Sequence, residues 1–126
     1  MLKIIASAPA IPAQDISRAR RFYEEKLGLT PELQPDGGAR YHTGTTGFLV
    51  FPSSGKSSGD HTQMALQVED VAVAVAELKS KGVMPEEYDF PNFKTVDGMV
   101  DMPDGGKGAW VKDTEGNLIA LTQGMP

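Results

Sequence analysis

Two stretches of the chain repeat apolar residues at helical spacing, and each lies between an aspartate and a glycine. The first stretch runs from Asp15 to Gly28, and its apolar positions share one face: Ile16, Ala19, Tyr23 and Leu27. An aspartate is a favourable first cap because its carboxylate accepts a free backbone N–H of the first turn. A glycine adopts the left-handed conformation that ends a helix. This pattern predicts a helix that begins after Asp15 and ends at Gly28.

The second stretch runs from Asp70 to Gly82 and repeats the same features. Its apolar positions, also on one helical face, are Val71, Ala74, Val75 and Leu78. We therefore predict a second helix of similar length and capping. The likeness of the two stretches suggests that the chain contains one structural unit twice.

Apolar and alternating runs on both sides of each helix predict β-strands. They cover residues 2–10, 31–33, 39–43 and 47–51 in the first half, and residues 62–68, 84–90, 108–113 and 117–123 in the second. A Gly/Ser-rich segment, 52–60, connects the halves, and a long irregular segment, 91–106, contains two Asp-Gly turns. We predict one domain, 1–126, with two similar halves of about 1–59 and 60–126 that face each other across a cleft.

Charge and composition exclude several kinds of partner. The 126 residues include 12 Lys and Arg against 17 Asp and Glu, a net charge of −5, which argues against nucleic acid and against an anionic membrane surface. The absence of cysteine excludes disulfides, thiolate metal sites and a cysteine nucleophile. The apolar run Ile4-Ile5-Ala6 is too short for a signal-peptide core, and no stretch is long enough to span a bilayer. We therefore expect a cytoplasmic protein.

Three segments resemble the vicinal oxygen chelate superfamily, which includes glyoxalase I, bleomycin-resistance proteins and extradiol dioxygenases. Segment 15–29 reads D-I-S-R-A-R-R-F-Y-E-E-K-L-G-L and resembles the first helix of that superfamily. Segment 68–71, V-E-D-V, resembles the start of its second half, and segment 109–119, A-W-V-K-D-T-E-G-N-L-I, resembles its last hairpin. The resemblance covers nearly the whole chain in the right order. It implies an α+β fold of two βαβββ modules that form a curved mixed sheet around a cleft.

The resemblance also implies four metal-ligand positions, one on the first strand and one on the last strand of each half. Family enzymes carry His or Gln on the first strands and Glu on the last. By spacing from the matched segments these positions fall near Ala8, within 48–51, at Gln63 and at Ala120. Only Gln63 could donate to a metal, and a neutral amide alone does not offset the desolvation of a divalent cation. We expect no metal there and no other cofactor.

Other residues leave an alternative open. His61 and His42 could begin a relocated metal site or act as a general base, although lone histidines are more often structural or solvated. Five acidic residues in the second half could pair as acid and base, although charges on loops are usually solvated: Glu86, Glu87, Asp89, Asp101 and Asp104. The sequence alone does not show that any two of them converge.

If the faces that carry the family's metal ligands point into the cleft, strand alternation predicts a cleft lined by small and uncharged residues. The inward positions are Ala6, Ala8 and Ala10, then Gln63, Ala65 and Gln67, and finally Leu118, Ala120 and Thr122. Such a lining suits an apolar or aromatic ligand. Five rings could wall or cover it by stacking, or could instead fill the core: Trp110, Tyr41, Tyr88, Phe90 and Phe93. For Phe22 and Tyr23, on the outer helix, we favour core packing.

The uncharged lining and the missing metal ligands favour a metal-independent protein that binds a bulky apolar or aromatic compound. The resemblance to bleomycin-resistance proteins implies that the protein sequesters this compound. The resemblance implies a homodimer. The predicted ligand-binding residues are Trp110, Gln63, Tyr41, Tyr88, Phe90, Phe93 and Ala120. The alternative is a glyoxalase-like lyase, isomerase or dioxygenase with a relocated metal or none, and a third interpretation is an interaction module whose cleft has collapsed.

Overall fold

The computed structural model describes residues 1–103 and 105–123, and it divides into two compact units with a boundary between Ser57 and Ser58. The division predicted from the repeated pattern, between residues 59 and 60, lies close to this boundary. Each unit has its own sheet, its own helix and its own buried residues.

The first unit has the order βαβββ. Its elements are β1 (Ala10–Ala13), α1 (Ile16–Arg21), β2 (Pro31–Leu33), β3 (Ala39–Thr43) and β4 (Thr46–Pro52). The sheet order is β1-β4-β3-β2, in which β1 runs parallel to β4 and the other pairs are antiparallel. This is the predicted module.

Helix α1 begins as its cap predicts but changes its hydrogen bonding halfway. The Asp15 carboxylate accepts the backbone N–H of Arg18 at 3.0 Å. After α1 the chain continues as a π-helix, Phe22–Lys26, and the Leu27 N–H donates to the Phe22 carbonyl at 3.2 Å. Gly28 then ends the helical segment with φ +72°.

Aromatic rings fill the core of the first unit. The rings of Tyr23, Tyr41 and Phe48 are fully buried, with centroids 5.4 to 5.6 Å apart. Phe22 is buried beside Tyr23 in an edge-to-face arrangement. The core packing predicted for Phe22 and Tyr23 is confirmed.

The second unit repeats the βαβββ order with an additional small hairpin. Its elements are β5 (Thr62–Gln67), α2 (Val71–Ser80), β6 (Asp89–Phe90), β7 (Phe93–Lys94), β8 (Met99–Asp101), β9 (Lys107–Lys112) and β10 (Leu118–Thr122). The main sheet has the order β5-β10-β9-β8, with β10 parallel to β5, whereas β6 and β7 form a separate two-stranded sheet. The predicted α+β fold of two βαβββ modules is confirmed.

Helix α2 and the last hairpin follow their sequence signals. The Asp70 carboxylate accepts the Val73 N–H at 3.2 Å, and Gly82 ends the helix with φ +83°. Helix α2 buries Val71, Val75 and Leu78. Strands β9 and β10 pair as the predicted hairpin, with Gly116 at φ +86° in the turn.

Two predicted strands are wrong in their extent. The first begins only at Ala10, and residues 1–9 lie outside any strand with Ile4 and Ile5 exposed. In the segment 84–90 only Asp89–Phe90 forms a strand. Pro85, near its start, has no N–H to donate to a sheet. Conversely, the segment 91–106 contains β7 and β8. Its second Asp-Gly turn includes Asp104, which lies outside the described residues.

Across residues 1–103 and 105–123, neither helix is long and apolar enough to cross a bilayer.

Candidate ligand-binding site in the second unit

Four aromatic side chains of the second unit form one cluster that is partly open to solvent. The Trp110 ring lies 5.4 Å from that of Phe93 and 5.9 Å from that of Tyr88, and the Tyr88 ring lies 6.0 Å from those of Phe90 and Phe93. Phe90 is 58% exposed and Phe93 is 37% exposed. We call Tyr88, Phe90, Phe93 and Trp110 the aromatic cluster.

Strand β9 places Trp110 in the cluster. Its neighbours Ala109 and Val111 are buried, so alternation directs Trp110 to the opposite face of the sheet. The indole N–H donates to the hydroxyl of Thr62 at 3.1 Å, which fixes the orientation of the ring. Trp110 is half-buried, with one apolar face in the cluster and its N–H directed to a polar partner.

Small residues lie beside the indole across the sheet. Trp110 is paired with Ala120 of β10, which in turn is paired with Ala65 of β5. The three positions form a row on one face of the sheet, as the alternation of these strands predicts. Two alanines beside the indole leave its flank free of bulky side chains.

The hairpin β6–β7 carries the two exposed rings. Phe90 and Phe93 are paired across it, and residues 89–94 line an open concavity of about 600 Å³. The chain just before the hairpin is attached to β9, because the Glu86 N–H donates to the Trp110 carbonyl at 2.7 Å. The Glu86 carboxylate also lies 3.6 Å from the Lys112 ammonium. The hairpin is therefore tethered close to the indole.

The side chains of the aromatic cluster carry no charge at neutral pH. Burial, and secondly the negative charge of Glu86, raise the pKa of Tyr88, so its phenol stays protonated at neutral pH. The rings offer stacking surface and a phenolic hydroxyl. This arrangement can bind a flat apolar compound, but the cluster itself supplies no group that titrates near neutral pH.

The other predicted residues of this unit lie on strands β10 and β5. Ala120 is buried next to Trp110, and Gln63 is half-buried in β5, where the pairing with β10 shifts register. The structure thus brings together Trp110, Tyr88, Phe90 and Phe93, and it places Ala120 directly beside the indole.

Tyr41 has a different place from the one we predicted. It lies in the first unit with 0% exposure, between Tyr23 and Phe48. Its hydroxyl donates to the Glu24 carboxylate at 2.8 Å, and Arg20 donates to the same carboxylate at 2.8 Å. Since the ring presents no surface to a ligand, the interpretation of Tyr41 as part of the binding wall is corrected to a core residue.

The residues at the family's metal-ligand positions do not fit a divalent cation. Ala8 and Ala120 carry no donor atom, and positions 48–51 are Phe, Leu, Val and Phe. Among residues 1–103 and 105–123, no three His, Cys, Asp or Glu side chains are grouped so that they could hold a metal. An amide at Gln63 does not replace the histidine nitrogens and carboxylates that such ions require.

The alternative histidine and acidic candidates have surface roles. His42 is exposed and lies 3.0 Å from Glu32, and His61 is exposed just before β5. Three of the four described acidic candidates interact with cations or hydrogen-bond donors: Glu86 with Lys112, Asp101 with Lys107, and Glu87 with Thr95. Asp89, the fourth, is exposed at the start of β6. Asp104 lies outside the described residues.

Sequence reasoning missed the polar residues that position the cluster. Thr62 is 48 positions from the indole it binds, and Thr95 is buried within a segment predicted to be irregular. Neither residue carries a local signal, because a threonine in a strand or loop is usually a surface residue. The only available indication was the density of rings between residues 88 and 93.

Solved structures with this fold include binding proteins and enzymes. A bleomycin-binding protein complexed with bleomycin is 22% identical, covering 97% of this chain and 100% of that chain, with a TM-score of 0.71. Lactoylglutathione lyase from Agrobacterium tumefaciens is 17% identical, with coverage of 94% and 93% and a TM-score of 0.69. The fosfomycin resistance protein FosX from Listeria monocytogenes is 13% identical, with coverage of 99% and 96% and a TM-score of 0.71. At these identities the likeness establishes the fold.

The sequence comparison establishes the family. No curated protein matches the chain at a significant level. The family model described as Glyoxalase/Bleomycin resistance protein/Dioxygenase superfamily matches residues 5–121. That match spans both units and every strand of the two main sheets but the last residue of β10. The chain therefore belongs to the glyoxalase/bleomycin resistance protein/dioxygenase superfamily.

Proposed function

We propose that this protein binds a bulky aromatic compound non-covalently and sequesters it. The observation that supports the proposal is the exposure of Phe90 and Phe93 beside Trp110. Because these rings are clustered and exposed, a flat ligand can stack against them. Each phenylalanine that becomes fully buried contributes about 1.5–3 kcal/mol, and a well-oriented aromatic pair adds about 0.5–1.5 kcal/mol.

The fold relatives agree with this proposal in kind. One of them is a bleomycin-binding protein, and a sequestering protein needs shape and apolar contact but no reactive group. The residues at the metal-ligand positions lack suitable donors, so the proposal contains no metal-dependent step. A homodimer in the cytoplasm is part of the same proposal.

The test compares single-ring variants in a binding titration. We expect Phe90→Ala and Phe93→Ala each to weaken binding of bleomycin or of the fluorophore anilinonaphthalene sulfonate (ANS) by about tenfold, because each removes apolar area from the ligand contact. Trp110 fluorescence and calorimetry measure the affinity. Leu33→Ala is the matched control, since Leu33 is 63% exposed on β2 of the other unit.

Equal affinity in the wild-type protein and both ring variants contradicts the proposal, as does failure of both probes to bind. Mass spectrometry of the compound recovered after incubation distinguishes sequestration from the enzymatic alternative. A chemically converted compound, or stoichiometric metal retained by the purified protein, would favour a lyase, isomerase or dioxygenase over sequestration.

A further inference from the structure

A partly buried hydrogen-bond network closes the base of the loop that carries the exposed rings. The Glu87 carboxylate accepts the Thr95 hydroxyl at 2.6 Å and the Gly98 N–H at 2.8 Å through the same oxygen. The Thr95 hydroxyl in turn accepts the Tyr88 N–H at 2.8 Å. We call Glu87, Thr95 and Gly98 the loop latch.

The latch joins the two ends of the ring-bearing segment. The Thr95 N–H donates to the Tyr88 carbonyl at 2.9 Å, so Thr95 contacts Tyr88 through both its backbone and its side chain. Residues 89–94 lie between these two anchors and include Phe90 and Phe93. Thr95 is 7% exposed, so water has little access to its hydroxyl.

Backbone geometry indicates that the return of the loop is held tightly at Gly98. Gly98 has φ +77°, and a Cβ there would approach the Pro85 ring to 2.3 Å, so the chain passes Pro85 without room for a side chain. Its neighbour Asp97 has φ +54°, a left-handed conformation that is uncommon outside glycine and that Asp adopts more readily than most other residues.

The hairpin itself is too small to fix its own position. Strands β6 and β7 have two residues each, and an isolated two-stranded hairpin is only marginally stable in water. The position of Phe90 and Phe93 must therefore be set at the base of the loop.

We propose that Glu87 and Thr95 are positioning residues that hold the aromatic hairpin against Trp110 and so prepare the site for its ligand. The inference rests on the proposed function, because it assigns a purpose to that same aromatic cluster. Neither residue touches the ligand. Their loss affects binding through the order of Phe90 and Phe93.

The first experiment replaces the threonine hydroxyl with a methyl group. Thr95→Val keeps the shape of the side chain but removes the bond to Glu87 and the bond from Tyr88. We expect the affinity for ANS to fall by about tenfold, as the loss of a hydrogen bond to a charged group predicts. Thr95→Ser keeps the hydroxyl and restores the affinity. Thr43→Val is the matched control. It removes the hydroxyl of Thr43 on β3, which contacts the hydroxyl of Thr46, and it should leave the affinity for ANS unchanged.

The second experiment needs no ligand. Hydrogen exchange measured by mass spectrometry reports the order of the loop directly, and we expect Thr95→Val to speed exchange in residues 89–94 while β9 exchanges as in the wild type. Thr95→Ser restores slow exchange. Glu87→Ala, at an exposed residue, gives the same result and serves if Thr95→Val does not fold.

The outcomes separate the two proposals. If the ring variants weaken binding but Thr95→Val changes neither affinity nor exchange, the latch is wrong and the proposed function stands. If Thr95→Val speeds exchange in the hairpin but the ring variants bind as the wild type does, the proposed function is wrong while the latch still orders the loop. Failure of Thr95→Ser to restore slow exchange also overturns the latch.

Discussion

Single residues of the same chemical type have opposite surroundings in the two units. Tyr41 has no exposed surface and donates its hydroxyl to Glu24, whereas Phe90 is 58% exposed on a small hairpin. Both rings were predicted from the sequence to contact a ligand. Alternation along a strand identifies which positions share a face, but it does not say whether that face is covered by a helix or open. The distinction between these two rings depends on packing partners that are distant in the chain.

The buried phenol of Tyr41 predicts a loss of stability in alkaline solution. Burial, and secondly the hydrogen bond and charge of Glu24, raise the pKa of Tyr41. A tyrosine whose pKa is raised on folding keeps its full contribution below the unfolded pKa of about 10 and loses it progressively at higher pH. We expect the free energy of unfolding to fall between pH values of about 8 and 11, and Tyr41→Phe to reduce that fall. Urea denaturation at both pH values measures the effect.

Two comparisons make the tyrosine experiment specific. The pKa of Tyr88 is also raised by burial, but its ring is only half-buried, so Tyr88→Phe should change the alkaline slope less than Tyr41→Phe. At neutral pH Tyr41→Phe should cost about 1–3 kcal/mol, because Glu24 loses a buried donor. An alkaline slope that is the same in the wild type and in Tyr41→Phe would show that Tyr41 does not carry the dependence.

At the scale of elements, helices were easier to predict than strands. Asp15 and Asp70 lie directly before the first residues of α1 and α2, and Gly82 lies two residues after α2. Gly28 lies two residues after the π-helix, Phe22–Lys26, that continues α1. A strand exists only where a partner pairs with it. The apolar segment 2–10 lacks such pairing before Ala10 in the described structure. The π-helix, Phe22–Lys26, was not predicted either. The spacing of apolar residues does not distinguish a single π-helical turn from a turn of α-helix.

The cap of α2 provides a prediction for one element. The Asp70 carboxylate accepts the Val73 N–H at the start of the helix, so Asp70→Ala should lower the free energy of unfolding by about 1 kcal/mol. Asp70→Asn keeps an acceptor oxygen and should lose only a few tenths of that value, about 0.3 kcal/mol. The measurement is the midpoint of urea denaturation at unchanged slope. Glu69→Ala, at the exposed residue just before the cap, is the control, and an equal loss in both alanine variants would contradict the capping role.

At the scale of the whole molecule, the duplicated order of elements was predictable and the assembled site was not. Two helices with matching caps and flanking strands define two modules from the sequence alone. The aromatic cluster requires β9 to meet a loop some 17 positions earlier in the chain, where Phe93 contacts Trp110. Its anchor, Thr62, comes from β5. Contacts at such separations depend on the packed tertiary structure, which local patterns do not specify.

The exposed N-terminal residues lead to a prediction about assembly. Leu2, Ile4 and Ile5 are 86%, 75% and 94% exposed, an unfavourable arrangement for apolar side chains in water. We expect the protein to be a homodimer with twice the 13.5 kDa mass of one chain, and we expect these residues to be covered in it. Sedimentation equilibrium measures the mass. Replacing all three residues with serine should shift the protein toward monomer, and a wild-type protein that is monomeric at all tested concentrations would contradict the prediction.

The order of strands has a consequence for synthesis on the ribosome. In each unit the last strand to be made is an interior one, since β4 lies between β1 and β3, and β10 lies between β5 and β9. The first sheet can close once residue 52 has emerged from the ribosome, before any strand of the second unit has emerged. The second sheet cannot close until β10, Leu118–Thr122, is available, because β5 and β9 pair with β10 and not with each other. Until then the backbone groups of β5 and β9 that pair with β10 stay hydrated. A chain truncated before β10 would thus contain a complete first sheet and a second sheet that lacks its interior strand.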